Sequence, residues 1–344
     1  MKKYLLPYGM KQFKANLHCH STLSDGKMTP EELAKAYKEK GYSVLAITDH
    51  EFMLDHSDLN TDDFITLTSY ELQIVDDTGD RPRPPYMKCC HMCFYSKDPH
   101  DPRQVFFNPD ARDLRRLCKV PEVIPDLKYI GRNDNIKRYD VALINEIVKT
   151  ANENGMLVSY NHPAWSLEKD EDYCNMNGFY AMEIYNNDCQ MLGIESYSPD
   201  VYDRMLRSGQ RLACAATDDC HAAHPLGDPL CDLFGGFSYI LAESLTYDNI
   251  IGAMEKGEMY ASRGPRIFEL YSDAGEIYVN CSNAKEIALT TGGRRAELRK
   301  AAEGEWLSEA RFSYKPEDSY IRVTVKDEKG LTANTRGYFI DELC

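Results

Sequence analysis

Two histidines one residue apart, His18 and His20, close a short apolar run in 13–25, FKANLHCHSTLSD. In a strand, residues i and i+2 share a face, so both imidazoles can aim at one point, whereas helical spacing would splay them. Asp219-Cys220-His221 repeats the i, i+2 arrangement and is preceded by a further aspartate, Asp218. His50, His91 and His162 also fall in or beside apolar runs, and Asp25, Glu71 and Asp219 add carboxylates. A single histidine so placed more often belongs to the core or supports a ligand. Six of the nine histidines falling this way is what points to metal. Imidazole nitrogens and carboxylate oxygens in this number can hold two or three divalent cations, and they suit manganese, iron(II) or zinc better than magnesium. His56, His100 and His224 lie in stretches that read as loops, so they are expected to face solvent or to support a ligand from outside.

Strands alternating with helices must position these groups. Thr29-Pro30-Glu31-Glu32 supplies an N-cap, a proline at the first helical position and two acids for the positive dipole end, and Gly41 stops that helix. Further strands are expected over 43–47, 64–68, 88–95, 156–160, 180–185, 212–216 and 237–241. Helices are expected over 140–154, 200–208 and 247–256, each followed by a glycine. This rhythm predicts an α/β fold with a parallel sheet or barrel. Reactive groups stand at the ends of at least six strands, which favours a closed or nearly closed barrel over an open sheet with one switch point.

Two regions break the rhythm. The stretch 96–137 is rich in charge and proline and reads as an inserted lid or a solvated excursion, from which Arg132 or Lys137 could reach a substrate. Beyond Gly264-Pro265, six or so short alternating runs without helices predict a small antiparallel β-sandwich over 264–344, leaving 1–263 to the barrel. Arg263, at that boundary, either grips phosphate or only makes the turn. Glu183, in mid-strand, reads as an acceptor that orients a ligand histidine.

A net charge of −15 opposes long polyanions and fits a small anionic substrate held by metal. Twelve scattered cysteines in a chain of 344 residues read as reduced thiols of a cytoplasmic protein rather than a disulfide framework. The N-terminus does not resemble a signal peptide, and no run approaches the roughly 18 apolar residues of a membrane span.

Taken together, His18-Cys19-His20-Ser21, Ser24-Asp25-Gly26, Thr48-Asp49-His50, Glu71, His91, Asn161-His162-Pro163 and Asp219-Cys220-His221 resemble the PHP (polymerase and histidinol phosphatase) family. The resemblance covers roughly residues 13–262, with the motifs in the family's order. It implies a distorted, TIM-like (β/α)7 PHP barrel with a phosphoesterase centre of two or three metals. By motif, His18, His20 and Asp219 would hold one metal, with Glu71 bridging. Glu71, His91 and His162 would hold the second, and Asp25, His50 and His221 the third. Asp218 competes with Asp219 for the first site, the i, i+2 relation to His221 favouring Asp219.

The chemistry expected is hydrolysis of a small phosphate monoester or a nucleotide phosphate. A water bridging two cations loses its proton near neutral pH and attacks phosphorus in line. His18, His20, Glu71 and His221 would carry catalysis, with Arg132 and Arg263 on the substrate. One alternative is an amidohydrolase-like C–N or C–O hydrolase, which an absent carboxylated-lysine candidate argues against. Another is a non-enzymatic binding protein whose barrel only holds metal. No GxSxG, P-loop or GxGxxG signature competes.

Overall fold

A computed structural model describes residues 2–75, 87–106, 112–131 and 138–343. The N-terminal segment begins with β1 (Lys11–Asn16), α1 (Pro30–Glu39), β2 (Val44–Ala46) and β3 (Ile65–Leu67), whose strands pair in parallel. The start of α1 is a capping box. Thr29 Oγ1 accepts from the Glu32 amide at 3.2 Å, and a Glu32 carboxylate oxygen accepts from the Thr29 amide at 2.9 Å.

A second sheet follows, with β4 (Ser69–Val75), β5 (Cys89–Ser96), α2 (Val141–Glu153), β6 (Met156–Tyr160), β7 (Ala181–Asn186), α3 (Pro199–Arg207) and β8 (Ala213–Thr217). Its strand order is β8-β7-β6-β5-β4. The β6, β7 and β8 strands run parallel, while β5 is antiparallel to both β4 and β6. This departs from strict strand-helix alternation. Antiparallel neighbours need no crossover helix between them.

The chain then returns to the first sheet through β9 (Phe237–Ala242), α4 (Tyr247–Lys256) and β10 (Met259–Ser262), with β9 antiparallel to β1. One apolar cluster draws Ala15, Val44 and Ile240 from the first sheet and Tyr95, Leu157, Ala181 and Ala215 from the second, so the sheets enclose a common core. The expected (β/α)7 barrel is not found as a closed hydrogen-bonded ring. Two sheets meet instead, linked by single bridges at Cys19–Cys220 and His50–Glu71.

Residues beyond 264 are antiparallel strands, as expected. They are β11 (Ile267–Asp273), β12 (Glu276–Ala284), β13 (Glu286–Thr291), β14 (Ala296–Lys300), β15 (Leu307–Ser313), β16 (Tyr320–Lys326) and β17 (Thr332–Thr335). They do not form a self-contained sandwich. The β13, β14, β16 and β17 strands continue the first sheet through β10, and β11, β12 and β15 take Lys3–Tyr4 from the N-terminus as an edge. Leu270, Ile277, Val279 and Phe312 pack against Ile287, Leu289, Ile321 and Val323 in one cluster. Each such side chain contributes about 1.5–3 kcal/mol on burial. A buried ion pair also ties this region to α3, with Arg322 donating to both Asp203 oxygens at 2.8 and 2.7 Å. Among the described residues no helix is long and apolar enough to cross a membrane.

Candidate metal centre

The two short motifs that share the i, i+2 pattern lie side by side. His18-Cys19-His20 and Asp219-Cys220-His221 run parallel, the His20 amide donating to the Cys220 carbonyl and the Asp219 amide to the His18 carbonyl, each at 2.9 Å. Alternation sends the cysteines to the back. Cys19 Sγ meets the Ala46 carbonyl at 3.2 Å and Cys220 Sγ the Tyr37 hydroxyl at 3.1 Å. The ligand-type side chains go to the front, where His18 Nε2 and His20 Nε2 are 3.3 Å apart and both approach Asp219 Oδ1, at 3.1 and 3.0 Å. Asp219 adopts a left-handed backbone (φ 51°), as does His162 (φ 22°), strain of the kind that gathers at functional sites.

Glu71 occupies the centre. Its Oε1 is 3.2 Å from His18 Nε2, 3.0 Å from His91 Nδ1 and 3.4 Å from His162 Nε2. Its Oε2 is 2.9 Å from His50 Nδ1 and 3.6 Å from His20 Nε2. His91 lies near the start of β5, and because that strand is antiparallel, its start lies on the side where the neighbouring parallel strands end. Asp25 and His221 complete a second grouping with His20 and His50. Asp25 carboxylate oxygens lie 3.7 Å from His50 Nε2 and 3.6 Å from His221 Nε2. Gly26 permits this turn, since a Cβ there would lie 2.1 Å from the His20 carbonyl oxygen. Ser21 anchors it by donating its amide and hydroxyl to Asp49 at 2.8 and 2.6 Å.

The residues fit cations. A metal 2.0–2.1 Å from four tetrahedral donors separates them by roughly 3.3 Å, close to the spacing among His18, His20, Glu71 and Asp219. Buried His20 Nδ1, His50 Nδ1, Glu71 Oε2 and His91 Nε2 make no aligned hydrogen bond. Leaving such groups without a partner is costly, and a cation would satisfy them.

The electrostatics agree. Burial pushes the Glu71 carboxyl up, but the imidazoles of His91, His18 and His50 outweigh it and hold it well below the usual carboxylate range. Burial works against a proton on His50, yet Glu71 and Asp25 raise it to about 9, so the site attracts positive charge. Burial, with His50 and His221 beside it, lowers His20 to about 4, keeping it neutral as a ligand must be.

Glu183 stands behind the ligand-type groups. Its Oε1 is 3.0 Å from His18 Nδ1 and accepts from the Thr217 hydroxyl, while its Oε2 accepts from the His162 amide and Asn186 Nδ2, each at 2.9 Å. Asp218 turns away from the site, accepting from the Tyr37 hydroxyl and the Phe234 amide at 2.7 Å and from the Gly236 amide at 2.8 Å. Of the two aspartates, Asp219 is the one among the ligand-type groups.

Residues 16–76 match the family model of the PHP domain. Over those residues the chain is similar to the PHP domain. A 39-residue stretch is 54% identical to the DNA polymerase/3'-5' exonuclease PolX of Bacillus subtilis, covering 11% of this chain and 7% of that protein. A two-domain protein from Bacteroides vulgatus, containing a predicted PHP-like metal-dependent phosphoesterase, aligns over 98% of both chains at 13% identity and a TM-score of 0.45. An amidohydrolase from Chromobacterium violaceum aligns over 63% of this chain and 93% of that one, at 17% identity and a TM-score of 0.39.

The ligand-type residues open onto a cleft of about 400 Å³, lined by Asp25, His50, Glu71, His91, His162, Asp219 and His221. Arg132 and Lys137 lie outside the described residues. Arg263 does not line the cleft: its guanidinium stacks on the Tyr185 ring at 4.1 Å. Among the described residues of the 96–137 excursion, the cationic residue lining the cleft is Arg116, on a short helix, Arg112–Leu117. Gln73, Trp165, Asp188 and Leu192 also line the cleft and were not singled out from sequence. Trp165 carried a signal, standing three residues after His162 as one of two tryptophans in the chain. Of the loop histidines, His100 pairs with Asp55 at 2.9 Å, and neither His56 nor His224 lines the cleft.

Proposed function

We propose that this protein is a metal-dependent phosphoesterase that hydrolyses a small phosphate monoester or a nucleotide phosphate. The observation carrying this is Glu71, one buried carboxylate whose two oxygens are approached by five imidazoles. Such a carboxylate suits a bridge between cations. His18, His20, Glu71 and Asp219 would hold one metal; Glu71, His91 and His162 a second; Asp25, His50 and His221 a third. Bound divalent cations supply Lewis acidity toward phosphate oxygens and make water nucleophilic at neutral pH. Manganese, iron(II) and zinc suit these donors.

The chain's own groups do the positioning. Glu183 holds the His18 ring through Nδ1, which directs Nε2 into the site. His221 Nδ1 is 2.9 Å from the Asp219 carbonyl, so its Nε2 faces Asp25 and the cleft. Asp25, His50 and His221 line the cleft, and His221, or a cation held by the three, would supply the proton or positive charge that a departing alkoxide requires. Arg116 lines the cleft, and a guanidinium there would suit a phosphate oxygen. The partner is a small phosphorylated molecule; a net charge of −15 argues against long nucleic acid. We take 1–263 as the catalytic unit, with 264–344 bracing it.

The test is metal analysis with a screen of phosphate monoesters and nucleotides, with manganese added. Two or three equivalents of manganese, iron or zinc are expected, and His20→Ala and Glu71→Ala should abolish turnover in folded protein. Protein that stays metal-free after exposure to all three ions, or variants with near-wild-type turnover, would overturn the reading. A panel of amides and lactones serves the C–N or C–O alternative.

A further inference from the structure

One wall of the cleft differs from the ligand set. Trp165 is half-buried, its ring centroid 5.0 Å from that of His91 and 5.1 Å from that of His162, in edge-on arrangements. Leu117 and Leu192 line the same cleft, and Leu192 is 58% exposed, an apolar side chain left open at the mouth of an otherwise charged site. Charged phosphate chemistry has no use for these groups. A tryptophan face and two leucines beside it suit the flat apolar part of a ligand, which gains by leaving water and by stacking.

We infer that the cleft selects phosphate monoesters whose alcohol carries a flat apolar or aromatic group, with Trp165 as the specificity-determining residue and Leu117 and Leu192 completing its wall. This rests on the phosphoesterase reading. Trp165 sits beside His91 and His162, so a ring against it stays within a few ångströms of the ligand-type groups, close enough for the ester oxygen to reach them. Esters of small hydrophilic alcohols leave that wall uncovered.

The test compares 2-phenylethyl phosphate with ethyl phosphate, whose alkoxide leaving groups are similar in basicity, using manganese-loaded full-length protein. The phenylethyl ester should show a kcat/KM about 10-fold or more higher, carried by KM. Trp165→Ala should remove that advantage by raising KM for the phenylethyl ester alone, with unchanged metal content, and Trp165→Phe should restore it. Equal kcat/KM for the two esters, or a Trp165→Ala effect equal on both, would overturn the inference while leaving the phosphoesterase reading intact. If neither ester turns over, binding decides the cleft's preference, and the broader screen of phosphate monoesters and nucleotides decides the phosphoesterase reading. In the Trp306→Phe background Trp165 is the sole tryptophan, and under indole-selective excitation 2-phenylethylphosphonate should quench its emission saturably where ethylphosphonate does not. Absence of that difference also overturns the inference.

Discussion

His18 Nδ1 and Glu183 Oε1 lie 3.0 Å apart, and the same carboxylate accepts the amide of His162, so one buried side chain sets both a ring and a backbone at the centre. Glu183→Gln keeps the shape but weakens the carboxylate-to-imidazole bond. Metal affinity should fall by about 10- to 100-fold, with activity recovering at high manganese. Titration of apo protein with manganese checks this, and an unchanged dissociation constant would show that Glu183 is only structural.

Gly26 tests the turn that carries Asp25. A methyl group there would overlap the His20 carbonyl oxygen, so Gly26→Ala must push the turn away from the 18–20 segment. Metal stoichiometry should drop by one equivalent, the cation associated with Asp25, with most secondary structure retained. Full stoichiometry in the variant would contradict the placement.

Glu168 links stability to pH. Its carboxyl accepts from Tyr139 and Tyr160 at 2.7 and 2.6 Å, yet burial outweighs both hydroxyls and pushes it up from 4.5 to about 8. A folded pKa above the unfolded one contributes stability that is complete below the unfolded value and is lost as pH rises toward the folded one. The gap in Tm between Glu168→Gln and the native protein should therefore move in the variant's favour from pH 5 to pH 8. A gap independent of pH would refute the assignment.

Arg322 and Asp203 form the buried pair between β16 and α3. Arg322→Ala leaves a carboxylate buried without its cation and should cost about 3–5 kcal/mol in thermal or denaturant unfolding. An apolar pair of similar volume, Arg322→Met with Asp203→Leu, should lose much less. Equal losses from the single and double changes would mean that packing, not charge, dominates there.

Most of the grouping of ligand-type side chains was legible because it follows the simplest backbone period. The His-x-His and Asp-x-His pairs read as same-face donors from spacing alone, and Glu183 read as a support because a carboxylate in an apolar strand needs a partner. Trp165, Arg116 and Asp188 were not legible, since what brings each to the cleft is loop and helix placement rather than period. Arg263 looked available at the domain boundary but spends its guanidinium on the Tyr185 ring. In the fold, strand and helix positions followed apolar runs and glycine stops. The antiparallel β5 was hidden, because an apolar run carries no direction.

The pairing of 18–20 with 219–221 also sets a timetable. The ligands sit on segments some two hundred residues apart, so a chain emerging from the ribosome holds His18 and His20 long before Asp219 and His221 exist. A cation held as proposed by His18, His20 and Asp219 could not be fully enclosed until well over half the polypeptide had been made. Once captured, it would fasten the ends of a very long loop, where closure is entropically most demanding. Metal supply would then bear on the stability of the finished chain as well as on turnover.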